Sequence, residues 1–314
     1  MTATSVVVLC GGVGAARFLR GLVQVVDPAA ITAIVNTGDD MRLHGLAISP
    51  DIDTCTYTLA EAINPETGWG LVGETWNAKE TLDRYGGQTW FGLGDRDLGT
   101  HMYRTQRLDE GATLSTVTTE IATAWGLELE LVPMTNDPVS TRVTIDSGEV
   151  LDFQRYFVER QHRDRVTSVA FDGVEQSAPA PGVLDALAGA DRVVIAPSNP
   201  FVSIAPILAV PGLRDAVAAR RDVTVCISPI IGGAAVKGPA ADLMQSLGHE
   251  VSSVGVARIF ADLAGHFVAD TIDADLAPEL SATGTTVHVT NTMMTESAIA
   301  AALATTVLNA PGAL

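Results

Sequence analysis

The first twenty-six residues restrict the fold most. Ser5 to Leu9 (SVVVL) is apolar from its second position on, then runs into Cys10-Gly11-Gly12-Val13-Gly14-Ala15-Ala16-Arg17 and a helical pattern ending near Val26. A strand with apolar side chains on both faces must be covered on both, as in a parallel sheet between two helical layers. The glycines of such a strand, turn and helix let backbone N–H groups approach an anion at the helix N-terminus. Against the dinucleotide fingerprint GxGxxG, Gly12 and Gly14 match, and Arg17 takes the place of the third glycine. A guanidinium in a first helical turn opposes the helix dipole, so Arg17 points to an anion nearby. On this motif alone, a tight turn without a ligand stays open.

The alternation continues down the chain. Ile31 to Val35, Gln88 to Leu93, Glu128 to Val132, Arg192 to Ala196, Val223 to Ile227 and Thr286 to Val289 read as strands. Helical patterns fill Thr54 to Ile63, Thr75 to Tyr85, Ser115 to Trp125 and Thr295 to Leu308. Near Thr141 the pattern changes: Arg142 to Ile145, the turn Asp146-Ser147-Gly148, and Val150 to Phe153 make a hairpin. The chain therefore reads as a single α/β domain over 1–314. Its expected form is a Rossmann-like three-layer fold with a mostly parallel sheet and a small antiparallel and helical insertion, lid-like, over 139–180. Within that insertion Arg155, Arg160, Arg163 and Arg165 are either a solvated helix face or a lid over an anionic substrate.

In open α/β sheets ligands bind beyond the carboxyl ends of the strands. The stretch VNTGDDMRLHGLAISPDID (35–53) places Asn36, Asp39, Asp40, Asp51 and Asp53 behind such a strand. Clustered carboxylates suit a hard cation such as Mg2+, which takes oxygen ligands and bridges to substrate phosphates. Capping of the next helix by Asp51 or Asp53, and a plain turn at Gly38-Asp39-Asp40, are the competing explanations. Asp95-Arg96-Asp97, at the expected exit of the 88–93 strand, is the second polar concentration, and Arg96 has the fork geometry to hold a phosphate. His101 reads as a satisfied histidine on a helix. The exits carrying Ser198 and Asn199, and Ser228 with Gly232-Gly233, offer hydroxyls and backbone amides to a nucleotide or phosphate, but no general base.

Charge excludes several partners. The chain has 37 acidic residues against 19 lysines and arginines, a formal net charge of −18. Such a surface repels nucleic acid and anionic membranes, so a phosphate-bearing ligand needs a local basic group or a metal. Cys10, Cys55 and Cys226 form no CxxC pair, which argues against a zinc site or disulfide framework and for a reducing cytoplasm. The start of the chain has neither a basic lead nor a long apolar run, so neither export nor membrane insertion is expected.

Six segments in one order carry a resemblance: GGVGAARFLRGL (11–22), NTGDDMRLHGLAISPDIDTCTYTLA (36–60), NPETGWG (64–70), GDRDLGTHMYRT (94–105), APSNPFVSIAPIL (196–208) and SPIIGGAAVKGPA (228–240). The succession resembles the 2-phospho-L-lactate transferase family of deazaflavin coenzyme biosynthesis. The resemblance implies transfer of a phospholactyl or phosphoenolpyruvyl group from a guanosine-diphosphate-linked donor to the ribityl hydroxyl of 8-hydroxy-5-deazariboflavin. GMP is released, and coenzyme F-420 without its glutamate tail, or its dehydro form, is made. Mg2+, a Rossmann-like fold and a homodimer are implied as well. Carried onto this sequence, Asp39 and Asp53 become the metal ligands, with Asp40 in reserve, and Asp51 meets the ribityl hydroxyls. Gly12, Gly14 and Arg17 face the diphosphate, Asp95, Arg96 and Asp97 line the reacting centre, and Ser198, Asn199 and Ser228 hold the guanosine part. Asp39, Asp51 and Arg96 are the expected catalytic residues, and Asn36 belongs with the substrate contacts. Asn291 stands where relatives often carry an aspartate, so no acid is expected there.

Two other classes compete. A nicotinamide-dependent oxidoreductase requires the third glycine and an acid closing the second strand. A non-catalytic nucleotide-binding regulator needs no acidic cluster on the rim.

Overall fold

The computed structural model describes residues 4–312. Seven strands form its main sheet: β1 (Val6–Cys10), β2 (Ile31–Val35), β3 (Glu130–Pro133), β4 (Arg192–Ile195), β5 (Thr224–Ile227), β6 (His266–Asp270) and β7 (Thr286–Thr290). Their order across the sheet is β3-β2-β1-β4-β5-β6-β7, and every neighbouring pair is parallel. The order of addition reverses between β1 and β4, so a crevice opens beyond their carboxyl ends.

The all-apolar β1 is covered on both faces, as its sequence requires. Val6, Val8 and Cys10 pack against α1 (Gly12–Leu22), α2 (Pro50–Leu59) and, further along the sheet, α4 (Ser297–Asn309). Val7 and Leu9 face the opposite layer, which includes the helices Val183–Gly189, Leu213–Ala218 and Ser253–Ile259. Each fully buried Val or Leu side chain contributes about 1.5–3 kcal/mol, so two dry faces fix the strand's place at the centre of the molecule.

Several local expectations change. The helix expected from Thr54 begins at Pro50, whose fixed φ suits a first helical turn, and Asp51 and Asp53 therefore lie inside that turn. Between Asp40 and Ser49 the chain folds into a hairpin, Met41–Leu43 against Leu46–Ile48, reversing at His44 (φ 53°) and Gly45 (φ 80°). The 88–93 segment is not a strand. Its Trp90 and Phe91 rings meet edge to face, and Leu93 packs with Leu43 and Ile48 of that hairpin instead of reaching the sheet. The next helix, α3 (Asp97–Asp109), begins directly after it.

Residues 140–172 form a three-stranded antiparallel sheet with Ser140–Ile145 at its centre, flanked by Val150–Asp152 and Val166–Asp172. The third strand escapes sequence reading because only Val166 of its residues is buried. A bridge between Thr135 and Pro179 closes the neck. The insertion has a small core of its own, including Val143, Leu151, Phe153 and Tyr156, which leans on Val202 and Leu243 of the body. Arg155 pairs with Glu159 (2.9 Å) and Arg160 with Asp164 (2.9 Å), so two of the four arginines are compensated within their own stretch.

Helices α1 and α4 cross where Gly21 meets Ala300, and a Cβ on Gly21 would collide with the Ala300 backbone. Helix propensity favours alanine over glycine by about 1 kcal/mol, whereas overpacking costs about 1–3 kcal/mol. Gly21→Ala is therefore expected to lose stability, read as a lower urea midpoint with an unchanged slope.

Candidate active site

A cleft of about 440 Å³ occupies the crevice beyond β1 and β4. Its floor is the glycine turn. Gly12 has φ +70°, a conformation that favours glycine. Gly14 is required for another reason: a Cβ there would strike the carbonyl oxygen of Pro197. The Ser198 hydroxyl donates to Gly11 O (2.8 Å) and accepts from Gly11 N (3.3 Å), tying the exits of β1 and β4 together. Asn199 accepts from Phe201 N through Oδ1 (2.9 Å), which leaves its buried Nδ2 without a partner in the cleft wall. Ser228 spends its hydroxyl inside its own loop, donating to Ile230 O (2.7 Å).

One wall holds two buried carboxylates without a counter-charge. Asn36, directly after β2, donates from Nδ2 to Asp51 Oδ2 (2.9 Å) and Asp39 Oδ1 (3.2 Å), while its Oδ1 accepts from Gly38 N (2.9 Å). Gln154 of the insertion donates to Asp39 Oδ2 (2.9 Å). Among the described residues no lysine, arginine or histidine pairs with Asp39 or Asp51. Burial, then the charges of Asp51 and Asp40, push the Asp39 carboxyl well above the usual carboxylate range. Burial likewise pushes Asp51 up to about 6, against the pull of the Asn36 and Gly12 donors. Two desolvated carboxylates held by neutral amides are a hard-oxygen donor set short of one cation, and these residues fit Mg2+. Asp40 is spent differently: Ser49 Oγ donates to its Oδ2 (2.6 Å), and it does not line the cleft.

Asp53 answers the same burial with an ion pair. Successive residues of a helix are about 100° apart, so Asp51 and Asp53 point to different sides of α2. Asp53 accepts two N–H bonds from the guanidinium of Arg104 on α3, one of them at 3.1 Å. Arg104 also lies 3.3 Å from His101 Nδ1, and His101 Nε2 lies 3.2 Å from Asp97 Oδ2. Tyr57 donates to the other Asp97 oxygen (2.6 Å). Burial raises the Asp97 carboxyl, but the hydrogen bond and charge of His101 and the Tyr57 hydroxyl outweigh it, and Asp97 ends below its ordinary range. Ligand atoms of Asp53, Asp97 and His101 lie within 4.8 Å of one another, yet Arg104 already supplies the positive charge there. The carboxylate that stands beside Asp39 is thus Asp51, and Asp53 is committed to Arg104. His101 is buried between Asp97 and Arg104, its Nε2 without a well-formed hydrogen bond, and it also lines the cleft.

The cations of the cleft are Arg17 and Lys237. Burial and the neighbouring Arg17 lower the Lys237 ammonium, and its Nζ donates to Thr67 O (2.9 Å). Asp95 and Arg96 do not line the cleft. Asp95 caps the helix Asn77–Arg84, accepting from Thr75 Oγ1 (2.6 Å), Asn77 and Ala78, and these bonds hold its carboxyl far below the usual range. Arg96 clips its loop by donating to Val72 O, while Glu74 accepts from Arg96 N (2.8 Å) and Asp97 N (2.9 Å). The strand whose exit was expected to bring Arg96 to the ligand rim does not form.

The sequence does not single out Tyr57, Arg104 or Gln154, and Lys237 enters only within the 228–240 segment. Asp97, His101 and Arg104 follow i, i+4, i+7 spacing on one helix face, a signal that was legible. Gln154 had none, because its partner is 115 residues away.

The family model of 2-phospho-L-lactate transferase CofD matches residues 6–305. The chain belongs to this family. Among its relatives, a phosphoenolpyruvate transferase of Streptomyces griseus is 44% identical over 304 residues, covering 95% of this chain and 96% of the relative. One from Streptomyces coelicolor is 45% identical, covering 93% of each chain, and one from Mycobacterium avium is 40% identical, covering 98% of each. A crystal structure of a Bacillus halodurans protein of the UPF0052 family shares the fold, with a TM-score of 0.63 at 17% identity over 98% of this chain and 99% of that one. The protein is a transferase of the CofD family with an α/β three-layer architecture. Among the described residues no helix is long and apolar enough to cross a membrane. An oxidoreductase of the nicotinamide class would close β2 with an acid, and Asn36 stands there, spent on two aspartates.

Two outcomes follow from the charges. Asp53→Asn leaves Arg104 buried without its carboxylate and is expected to cost about 3–5 kcal/mol, measured by urea unfolding. Asp39, Asp40 and Asp51 hold protons in the fold at pH values where the unfolded chain, titrating near about 3.9, has lost them. The stability contributed by the Asp51 proton therefore falls as pH rises from about 4, the unfolded value, to about 6, and Asp39 and Asp40 act in the same direction. Asp95 and Asp97, shifted down, act only in more acidic solution. In a chelator, the melting temperature should decline between about pH 4 and 6, and Asp51→Asn should flatten that decline.

Proposed function

We propose that the protein transfers a phosphoenolpyruvyl group from a guanosine-diphosphate-linked donor to the ribityl hydroxyl of 8-hydroxy-5-deazariboflavin, releasing GMP and forming dehydro coenzyme F-420-0. The observation that carries the reading is the meeting of opposite charges at one glycine turn. Asp51 approaches Gly12, and Lys237 lies beside Arg17 and near Gly68, which itself neighbours Val13. Relatives at 40–45% identity carry the name phosphoenolpyruvate transferase, which favours the enolpyruvyl over the lactyl donor.

In this reaction the ribityl oxygen forms a bond to the phosphorus bearing the enolpyruvyl group. The bond from that phosphorus to the GMP oxygen breaks, GMP leaves with the electron pair, and the hydroxyl proton is lost. Little covalent work falls to the protein, so positioning and charge neutralisation supply the rate. Arg17 and Lys237 bind the diphosphate oxygens, and the free Nδ2 of Asn199 donates to the nucleotide part. Asp39 and Asp51 would hold Mg2+, which when bound supplies neutralisation of charge developing on the transferred phosphoryl oxygens. Asp51, set against the glycine turn, also orients the incoming hydroxyl.

Purified protein offered both donors with the deazaflavin and Mg2+ should release GMP and give a product with the mass of the enolpyruvyl adduct. Asp39→Ala should lower turnover by more than about a hundredfold with an unchanged circular dichroism spectrum. Near-native turnover in that variant would sink the assignment.

A further inference from the structure

We propose that Gln154 is a positioning residue for the Asp39 carboxylate, and that it makes divalent-cation binding and docking of the 140–172 insertion one coupled equilibrium. The inference rests on the reading that Asp39 holds the cation. Asp39 is gripped from two bodies of structure: Oδ1 accepts from Asn36 at the end of β2, and Oδ2 accepts from Gln154 of the insertion. The turn carrying Asp39 has a second tie to the insertion, since Thr141 N donates to Gly38 O (2.6 Å). There is no slack at that tie, because a Cβ on Gly38 would sit 2.7 Å from Thr141 Oγ1.

Gln154 is itself 6% exposed and lies between Phe153 and Tyr156, both members of the insertion's own core. The position of its amide is therefore set by how that core is packed and docked. The chemistry of the residue fits the task. A neutral amide fixes the direction of a carboxylate oxygen without cancelling its charge, which stays available to a cation. The contrast is Asp53 on the same acidic stretch, where Arg104 both orients and neutralises. Partners that orient a metal ligand are worth about 10–100-fold in affinity. Whatever the docked insertion gives to cation binding, cation binding must return to docking.

Mn2+ serves as the probe, titrated by electron paramagnetic resonance, with amide hydrogen exchange followed across residues 140–153. In the unmodified protein Mn2+ should slow exchange in this segment, and an absence of slowing overturns the coupling. Gln154→Met keeps the length and loses the donor, and Gln154→Asn keeps an amide that cannot span the gap. Each should weaken Mn2+ binding by about 10–100-fold and abolish the Mn2+-dependent slowing, with the circular dichroism spectrum retained. Affinity within about twofold of the unmodified protein in either folded variant overturns the proposal. Asp39→Asn separates the two readings. If it loses Mn2+ while the Gln154 variants keep it, only the positioning role fails. If it binds Mn2+ normally, the cation reading fails and takes this inference with it.

Discussion

A carboxylate taken out of water must find a cation, a proton or a set of donors, and the stretch from Asp39 to Asp53 buries three aspartates within fifteen residues. The protein answers this demand in two ways. Asp53 receives the guanidinium of Arg104, and Asp97 receives His101 and Tyr57, so that side of the cleft is compensated from within. Asp39 and Asp51 receive neutral donors: the side-chain amides of Asn36 and Gln154 and backbone N–H groups, Gly12 among them. Neutral donors do not cancel a carboxylate's charge, so these two groups are left to a proton or a cation.

The sheet decides where the charge stands. Reversal of strand order between β1 and β4 opens the crevice, and close packing shapes its floor. Gly14 lets the turn after β1 lie against the backbone of Pro197, and Ser198 fastens the same two exits with its hydroxyl. Gly11 likewise leaves no room for a side chain beside Ser203. The glycines thus serve the meeting of two loops first, and an anion can approach because that meeting leaves backbone amides at the start of α1. The partial match to the dinucleotide fingerprint has this origin.

Membership of the CofD family gives the cleft its chemical context, while the geometry places several side chains differently from expectation. Asp51 stands beside Asp39 where Asp53 was expected. Arg17 and Lys237 are the cations within reach of the glycine turn, whereas Arg96 clips a loop. The place of Arg96 has a local cause. Residues 88–93 pack their aromatic rings locally and under the 41–48 hairpin, so the polar run that follows begins α3 instead of leaving a strand.

The sequence by itself determined the layered α/β architecture, the acidic rim behind β2 and the glycine turn, because each is written in residues close together. Apolar runs, turn formers and helix periodicity act over a few positions, and burial follows from them. It also carried the family resemblance, through motifs in a fixed order. Only the tertiary structure decided which aspartates are compensated and which are not. That outcome depends on Arg104, 51 residues from Asp53, and on Gln154, 115 residues from Asp39. Helix phase decided the rest: inside the first turn of α2, Asp51 faces Asn36 and Asp53 faces Arg104. Charge compensation is a property of three-dimensional neighbours, and a linear pattern of acids holds no record of them.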